Sequence, residues 1–208
     1  MLNTVTVPEI KKLIIDNYDK CLEPLTEISK DWANNKSMIS RSEEFYNYDR
    51  IGESVFQGKD KPKTPDMIFF KDDTIFFVEF KSGRIEGIKK KCETRGNDDE
   101  CHYVKWDIKL KALEGAFVVL HRLAAKHKEK IDFSTIVNLK KCYILVYAKD
   151  EKPGTTSGER RFSNQLSSSK VKFGLQLYKG TFFTDVATFT PDSFIKKLED
   201  FKVIGSLR

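Results

Sequence analysis

Two acidic residues and one lysine bracket the most strand-like part of this sequence. Between Asp66 and Glu79 lie two apolar segments rich in Ile, Val and Phe, separated by four polar residues. That composition favours a β-hairpin. Counting outward from a two-residue turn at Asp72 and Asp73 places Asp66 opposite Glu79. Lys81, two residues further on, lies on the same face, so the hairpin brings two carboxylates and an ammonium together at its open end.

Opposed carboxylates of this kind need a physical explanation. Like charges directly across a ladder are destabilising, and two carboxylates that share a site raise the pKa of one of them. A hard cation removes the conflict, since Mg²⁺ takes one or two carboxylates and completes its octahedron with water and phosphate oxygens. The alternative is an edge salt bridge in which Lys81 neutralises Glu79 and Asp66 only begins a strand.

The spacing of these residues resembles a known family. Pro65-Asp66, twelve intervening residues and then Glu79-Phe80-Lys81 are similar to the motif of the PD-(D/E)XK nuclease superfamily. The resemblance implies that Asp66 and Glu79 bind Mg²⁺ or Mn²⁺ and that the Phe80 carbonyl completes the shell. It also implies that Lys81 positions or activates the attacking water, and that the products carry a 5′-phosphate and a 3′-hydroxyl.

The same resemblance implies an acidic ligand from a helix that precedes the Asp66 strand. Glu44 is the first candidate because Phe45 and Tyr48 lie close to it in sequence and could turn it toward a core. Glu53 is the second candidate, and Glu43 also stays open.

Basic residues supply candidates for contact with a nucleic-acid backbone. The resemblance implies a lysine on the helix after Glu79, for which Lys109 is the candidate, with Lys105 one turn earlier; a solvated helix flank is the competing interpretation. Lys63 lies in a basic loop ahead of the hairpin. Arg160 and Arg161 lie in a long polar loop and could contact phosphates.

Composition predicts a folded protein with a phosphate-rich partner. The 208 residues are 39% hydrophobic and 12% aromatic, which indicates one globular domain over residues 1–208. The net charge of +6 suits nucleic acid, although 31 acidic residues moderate it. No apolar run approaches the ~20 residues that span a membrane, and no secretion signal is visible, so we expect an intracellular, cytoplasmic protein. The four cysteines match no zinc-binding pattern.

The sequence pattern of the N-terminal part of the chain, residues 8–50, predicts helices. Apolar residues recur at helical spacing after Pro8. Pro24 interrupts the pattern, and a second helix is expected to extend through Trp32. A capping-box pattern predicts a third, short helix that begins near Arg41 and carries Glu44.

The remainder predicts a sheet covered on both sides. The hairpin, within residues 63–83, is apolar on both faces, so both faces must be buried. A helix is expected at 105–128, with an apolar stripe that includes Leu110, followed by closing strands and a helix over 139–202. Within that last part, a strand at 140–147 should lie parallel to the hairpin because a helical crossover connects them. A second hairpin is expected over 173–186.

These observations and the resemblance lead to one expected fold and one preferred function. The expected fold class is α/β, with a central mixed β-sheet flanked by helices on both faces, and the resemblance implies a restriction-endonuclease-like arrangement. The preferred hypothesis, also implied by the resemblance, is a Mg²⁺-dependent nuclease with DNA as its substrate, and a homodimer or a larger complex is compatible with it. One alternative is a non-catalytic nucleic-acid-binding subunit. Another is an RNA endonuclease of the cap-cleaving type, which is less favoured because such enzymes use an upstream His ligand and every His here follows Glu79.

Overall fold

The computed structural model describes residues 4–32, 34–57, 61–82, 107–127, 131–147, 171 and 173–203. The strands, numbered along the chain, are β1 (Leu22–Pro24), β2 (Lys30–Asp31), β3 (Lys36–Ser37), β4 (Glu44–Asn47), β5 (Met67–Lys71), β6 (Thr74–Lys81), β7 (Lys141–Tyr147) and β8 (Asp185–Phe189). The helices are α1 (Val7–Asn17), α2 (Leu25–Ile28), α3 (Tyr48–Val55), α4 (residues 107–127, of which Glu114–Val119 are π-helical), α5 (Phe133–Asn138) and α6 (Pro191–Asp200), with 3₁₀ turns at Asp19–Cys21 and Leu175–Tyr178.

Six strands form one mixed sheet in the order β1-β4-β5-β6-β7-β8. The pairs from β1 to β6 are antiparallel, whereas β6, β7 and β8 run parallel to one another. β2 and β3 form a separate antiparallel ladder. The predicted α/β class, with a mixed sheet and a strand near 140–147 parallel to the hairpin, is confirmed.

The central hairpin has the predicted register. Met67 pairs with Val78 at one end of the β5–β6 ladder, and Lys71 pairs with Thr74 beside the turn. Asp72 has a φ of 49°, a left-handed conformation that Asp tolerates better than most residues. The chain therefore reverses where the sequence predicts it, and every side chain of the hairpin lies on the expected face.

Both faces of the hairpin are buried. On one face, Ile68, Ile75 and Phe77 belong to a core that also contains apolar residues of α1, α4 and α5. On the other face, Phe69 and Phe76 belong to a second core that includes residues of α2 and α6. The prediction of helices on both sides of the sheet is confirmed. Among the residues that the structure describes, no helix is long and apolar enough to cross a bilayer.

Helix α4 changes its geometry midway, which changes the face that it buries. The π-helical segment Glu114–Val119 has more residues per turn than an α-helix, so side chains before it are rotated relative to those after it. Ile108 and Ala112 are consequently buried, whereas Leu110, a member of the predicted stripe, is 40% exposed. The helix was predicted correctly, and Phe117, Leu120 and Ala124 of the predicted stripe are buried, whereas Leu110 near the start of the helix is not.

The predicted short helix near Arg41 is wrong, because residues 44–47 are a strand. The backbone of Arg41 pairs with Thr26, and β4 is held between β1 and β5 in the sheet. Helix α3 begins only at Tyr48, where the Asn47 side chain accepts a hydrogen bond from the Arg50 N–H at 3.1 Å. Strand pairing on both sides of β4 overrides the local capping pattern.

Two other local predictions also differ from the structure. The second N-terminal helix ends at Ile28, and Trp32 is 73% exposed rather than packed on it. The expected closing hairpin over 173–186 is a 3₁₀ turn followed by β8, which pairs with β7 instead. The Thr184 N–H donates to the Lys141 carbonyl at 2.7 Å, which joins the end of this segment to the sheet.

Candidate functional site

Asp66 and Glu79 meet at the open end of the hairpin, as the register requires. Asp66 comes directly before β5, and its Oδ2 accepts a hydrogen bond of 2.6 Å from the Phe80 N–H of β6. The Asp66 carbonyl accepts a second bond, 2.9 Å long, from the Tyr48 N–H at the start of α3. Side chain and backbone of Asp66 are thus fixed by two different elements.

Glu79 is a fully buried carboxylate in the middle of the sheet. Its side chain is 0% exposed and points to the same face as Phe77, which is the face that α4 covers. Burial of an ionised carboxylate is unfavourable unless cations and hydrogen bonds compensate. Lys81 Nζ lies 3.0 Å from Glu79 Oε1, and Lys111 Nζ, from α4, lies 2.9 and 3.0 Å from the two Glu79 oxygens.

Lys111 also links the two acids. Its Nζ lies 3.5 Å from Asp66 Oδ1, so a single ammonium contacts both carboxylates of the hairpin. Its side chain is 20% exposed. Lys111 therefore stands where the two carboxylates converge.

Asp107 extends the cluster by one more layer. It accepts from Lys81 Nζ at 3.4 Å and from the Lys63 ammonium. The Lys63 backbone N–H donates to Glu114 Oε2 at 2.6 Å, which ties the loop before the hairpin to α4. The contacts thus form a chain in which basic and acidic side chains alternate, and this keeps each ammonium oriented. In order, the chain is Lys63, Asp107, Lys81, Glu79, Lys111 and Asp66.

Burial and neighbouring charges raise the pKa values of Asp66, Lys81 and Lys111 and lower the pKa of Asp107. Burial, with the nearby charge of Glu79, raises the pKa of Asp66 to about 7, and the Lys111 charge and the Phe80 N–H offset only part of this. Burial lowers the pKa values of Lys81 and Lys111, but the Glu79 carboxylate outweighs it and both values are raised. Burial raises the pKa of Asp107, but its bonds to Lys63 and the charge of Lys81 bring it below its ordinary value. At neutral pH both lysines are cations, and Asp66 is poised between its two forms.

The raised pKa of Asp66 makes stability depend on pH in a defined direction. The folded state keeps the Asp66 proton up to about pH 7, whereas the unfolded chain loses it near its ordinary value of 3.8. Between these values the folded state binds more protons, so the free energy of unfolding should fall as the pH rises from 4 to 7. We expect a decrease on the order of 2 kcal/mol, since the side chain is partly in contact with water.

Urea unfolding at intervals from pH 4.5 to 7.5 measures this decrease. Asp66→Asn, which resembles the protonated side chain, should remove it, whereas Asp73→Asn in the exposed turn should leave it in place. An Asp66→Asn protein with the same pH profile as the parent would show that another group is responsible.

The donor atoms of the pair fit a hard divalent cation. Asp66 Oδ1 and both Glu79 carboxylate oxygens lie within 3.5 Å of one positively charged nitrogen, so they already converge on a single cation position. Mg²⁺ is typically bound by one or two carboxylates, with water and phosphate oxygens as its other ligands. In the described ranges, no three or more His, Cys, Asp or Glu side chains form a metal-binding group. The Phe80 carbonyl as a further ligand stays a prediction.

The upstream acidic residues do not join the pair in the predicted way. Asn47 pairs with Met67 beside Asp66, so Glu44 lies three residues, about 10 Å, further along β4 toward the turn, and it is exposed. Glu44 is therefore not brought to the acidic pair. Glu43 instead lies 3.3 Å from an Arg41 nitrogen.

Glu53, the second candidate, shares a cavity with Asp66. It lines a cavity of about 290 Å³ beside Asp66, together with Asp49 and Asp31. Its Oε1 accepts from Lys61 Nζ at 2.8 Å, so in this structure it is paired with a lysine rather than turned toward Asp66.

Of the two predicted nucleic-acid-binding lysines that the structure describes, Lys63 lies in the cluster beside Asp107. Lys109 extends toward Gly174: a methyl group added at Gly174 would lie 3.4 Å from its Nζ. Lys105, Arg160 and Arg161 lie outside the described residues, and their roles stay predictions.

Sequence reasoning missed Lys111 and Asp107. The two residues are four positions apart, so they share a face of α4. An acid and a base at this spacing, beside the buried Ile108 and Ala112, were the available signal. It was obscured because the assumed stripe ran through Leu110, which turned the wrong face of the helix toward the hairpin.

No family model, curated protein or solved structure matches this chain.

Proposed function

We propose that the chain is a metal-dependent nuclease that hydrolyses phosphodiester bonds, with DNA as the preferred substrate and a restriction-endonuclease-like core. The observation that carries the proposal is the convergence of Asp66 and Glu79 on one cation position, with Lys81 held 3.0 Å from Glu79. These residues stand near the carboxyl end of β6, at the start of the parallel part of the sheet. Ligand sites of α/β sheets lie beyond such strand ends.

The side chains of the cluster have separate tasks in this proposal. Asp66 and Glu79 would hold one Mg²⁺ or Mn²⁺, which when bound lowers the pKa of a water molecule and polarises the scissile phosphate. Lys81 is fixed between Glu79 and Asp107, so its ammonium can donate to the attacking water or stabilise charge on the phosphate oxygens. Asp107 is a positioning residue, because it contacts Lys81 rather than the carboxylate pair.

The charge of the chain supports a polyanionic substrate. The net charge is +6, and Lys63, in the loop before the hairpin, adds a third ammonium to the cluster through its ion pair with Asp107. Phosphate contacts of this kind position nucleic acid without selecting a sequence.

One observation favours a second candidate, a nucleic-acid-binding subunit without turnover. Lys81 and Lys111 already form ion pairs with the two carboxylates, so the cluster has counter-ions without any metal. The RNA cap-cleaving alternative has no such support. His121 packs on the Phe133 ring and His127 on the Tyr18 ring, both away from Asp66, while His102 lies outside the described residues.

Cleavage of labelled substrates tests the proposal. Duplex, single-stranded and branched DNA and RNA should be incubated with Mg²⁺, Mn²⁺ or EDTA, in parallel with calorimetric titration of Mn²⁺. We expect cleavage that requires the metal and leaves a 5′-phosphate and a 3′-hydroxyl. DNA binding with neither cleavage nor Mn²⁺ binding would replace the nuclease with the binding subunit, and absence of all three activities would overturn both.

A further inference from the structure

Lys111 occupies the position that a metal ion would need. Its Nζ lies 2.9 and 3.0 Å from the two oxygens of Glu79 and 3.5 Å from Asp66 Oδ1. A Mg²⁺ ion bound to the same oxygens would sit about 2.0–2.1 Å from them. An ammonium and a divalent cation cannot share that space, and their charges repel strongly at such short range.

We propose that Lys111 is the resident counter-ion of the metal-free protein and that a bound metal displaces it. The inference rests on the proposed function, which assigns the metal to Asp66 and Glu79. Lys111 then sets the metal affinity of the site, because the two carboxylates are open to a metal only when the ammonium has moved away.

Lys81 does not fill this role. In the described part of the chain, its charged contacts are Glu79 and Asp107, and Lys111 is the lysine that contacts both acids. Lys81 can therefore keep its bond to Asp107 while a metal enters, whereas Lys111 would lie against the metal itself.

The helix that carries Lys111 offers the displaced ammonium another partner. Asp107 lies one turn earlier on the same face of α4, within reach of an i, i+4 side-chain contact. The Lys111 stem is long and flexible, so a rotation of its outer bonds suffices and the helix can stay in place. Movement of a single side chain then exchanges one cation for another.

Calorimetric titration of Mn²⁺ into the parent protein, Lys111→Met and Lys111→Gln tests the exchange. If Lys111 holds the site at least nine-tenths of the time, its removal should tighten the apparent Mn²⁺ affinity by about tenfold or more. Lys140→Met is the matched control, since it removes the same charge from an exposed position and should leave the affinity within about twofold. Equal affinities of the parent and both Lys111 variants would overturn the proposal.

A second measurement does not depend on whether the Lys111 variants fold. In crystals of the parent protein grown with Mn²⁺, the Lys111 Nζ should lie more than about 4 Å from the Glu79 oxygens, beyond ion-pair distance. A metal bound to both acids with Lys111 still in contact with Glu79 would also overturn it. If the parent binds Mn²⁺ and cleaves substrate while Lys111 stays in place, only this inference fails. If neither the parent nor any variant binds Mn²⁺, the metal assignment itself fails.

Discussion

Replacing Asp66 with Asn should lower the rate of metal-dependent cleavage about 10²–10⁴-fold, and Glu79→Gln and Lys81→Met should do the same. The first two changes remove a carboxylate that we propose binds the metal, with almost no change in shape, and the third removes the ammonium that we propose assists the attacking water or the phosphate. Losses of this size are typical when a group that assists proton transfer or stabilises transition-state charge is deleted. Single-turnover cleavage of an end-labelled oligonucleotide at saturating protein gives the rate directly.

Asp73→Asn is the matched control for these variants. It makes the same chemical change in the exposed turn, at the opposite end of the hairpin from Asp66. It should cleave at the parent rate. Far-UV circular dichroism must show that each variant is folded, because Glu79→Gln removes the carboxylate that Lys81 and Lys111 share and leaves them Asp107 and Asp66 as charged partners. Folded Asp66→Asn and Glu79→Gln proteins that cleave as fast as the parent would exclude the site.

Gly115→Ala should destabilise the fold by about 2 kcal/mol, although Ala is the better helix former by nearly 1 kcal/mol. A Cβ at Gly115 would overlap the Pro65 ring and press on the Tyr48 ring, 3.4 Å away. Overpacking of a closed interface typically costs 1–3 kcal/mol. Because Pro65 precedes Asp66 in the chain, the displacement should also move the Asp66 carboxylate and weaken Mn²⁺ binding.

Urea unfolding gives the stability of Gly115→Ala, and calorimetry gives its Mn²⁺ affinity. Gly180→Ala provides the contrast, since among the described residues beyond its chain neighbours no atom lies within 4 Å of an added Cβ, while the positive φ of 77° opposes the change. It should lose about 1 kcal/mol and keep its metal affinity. A Gly115→Ala protein more stable than the parent would mean that α4 and Pro65 do not pack as described.

The hairpin and its site were predictable because few physical alternatives existed. Strands have a period of two residues, and the polar break between the apolar segments allows only a short turn, so the pairing of Met67 with Val78 follows from counting. The convergence of Asp66 and Glu79 is a consequence of that register. The apolar character of both hairpin faces likewise requires cover on both sides.

The errors arise where contacts distant in sequence override local preference. Residues around Glu44 carry a helix-capping pattern, but two neighbouring strands bind their backbone, and the pairing decides the outcome. Lys111 was missed for a different reason. Six π-helical residues change the rotation of α4, and helical periodicity assumes that this rotation is constant.

The position of the chain reversal has a consequence for natural variation and for engineering. The turn at Asp72 is exposed and lies at the far end of the ladder from the acids, so extra residues there would lengthen a surface loop and leave the pairing beyond it intact. A single residue inserted within β6 would instead exchange the two faces of the strand downstream of it. If the insertion precedes Glu79, this residue would then face the core that contains Phe69 and Phe76, and its buried carboxylate would lose the ammonium groups of Lys81 and Lys111. Length variation in the hairpin among relatives of this protein should therefore be confined to the turn.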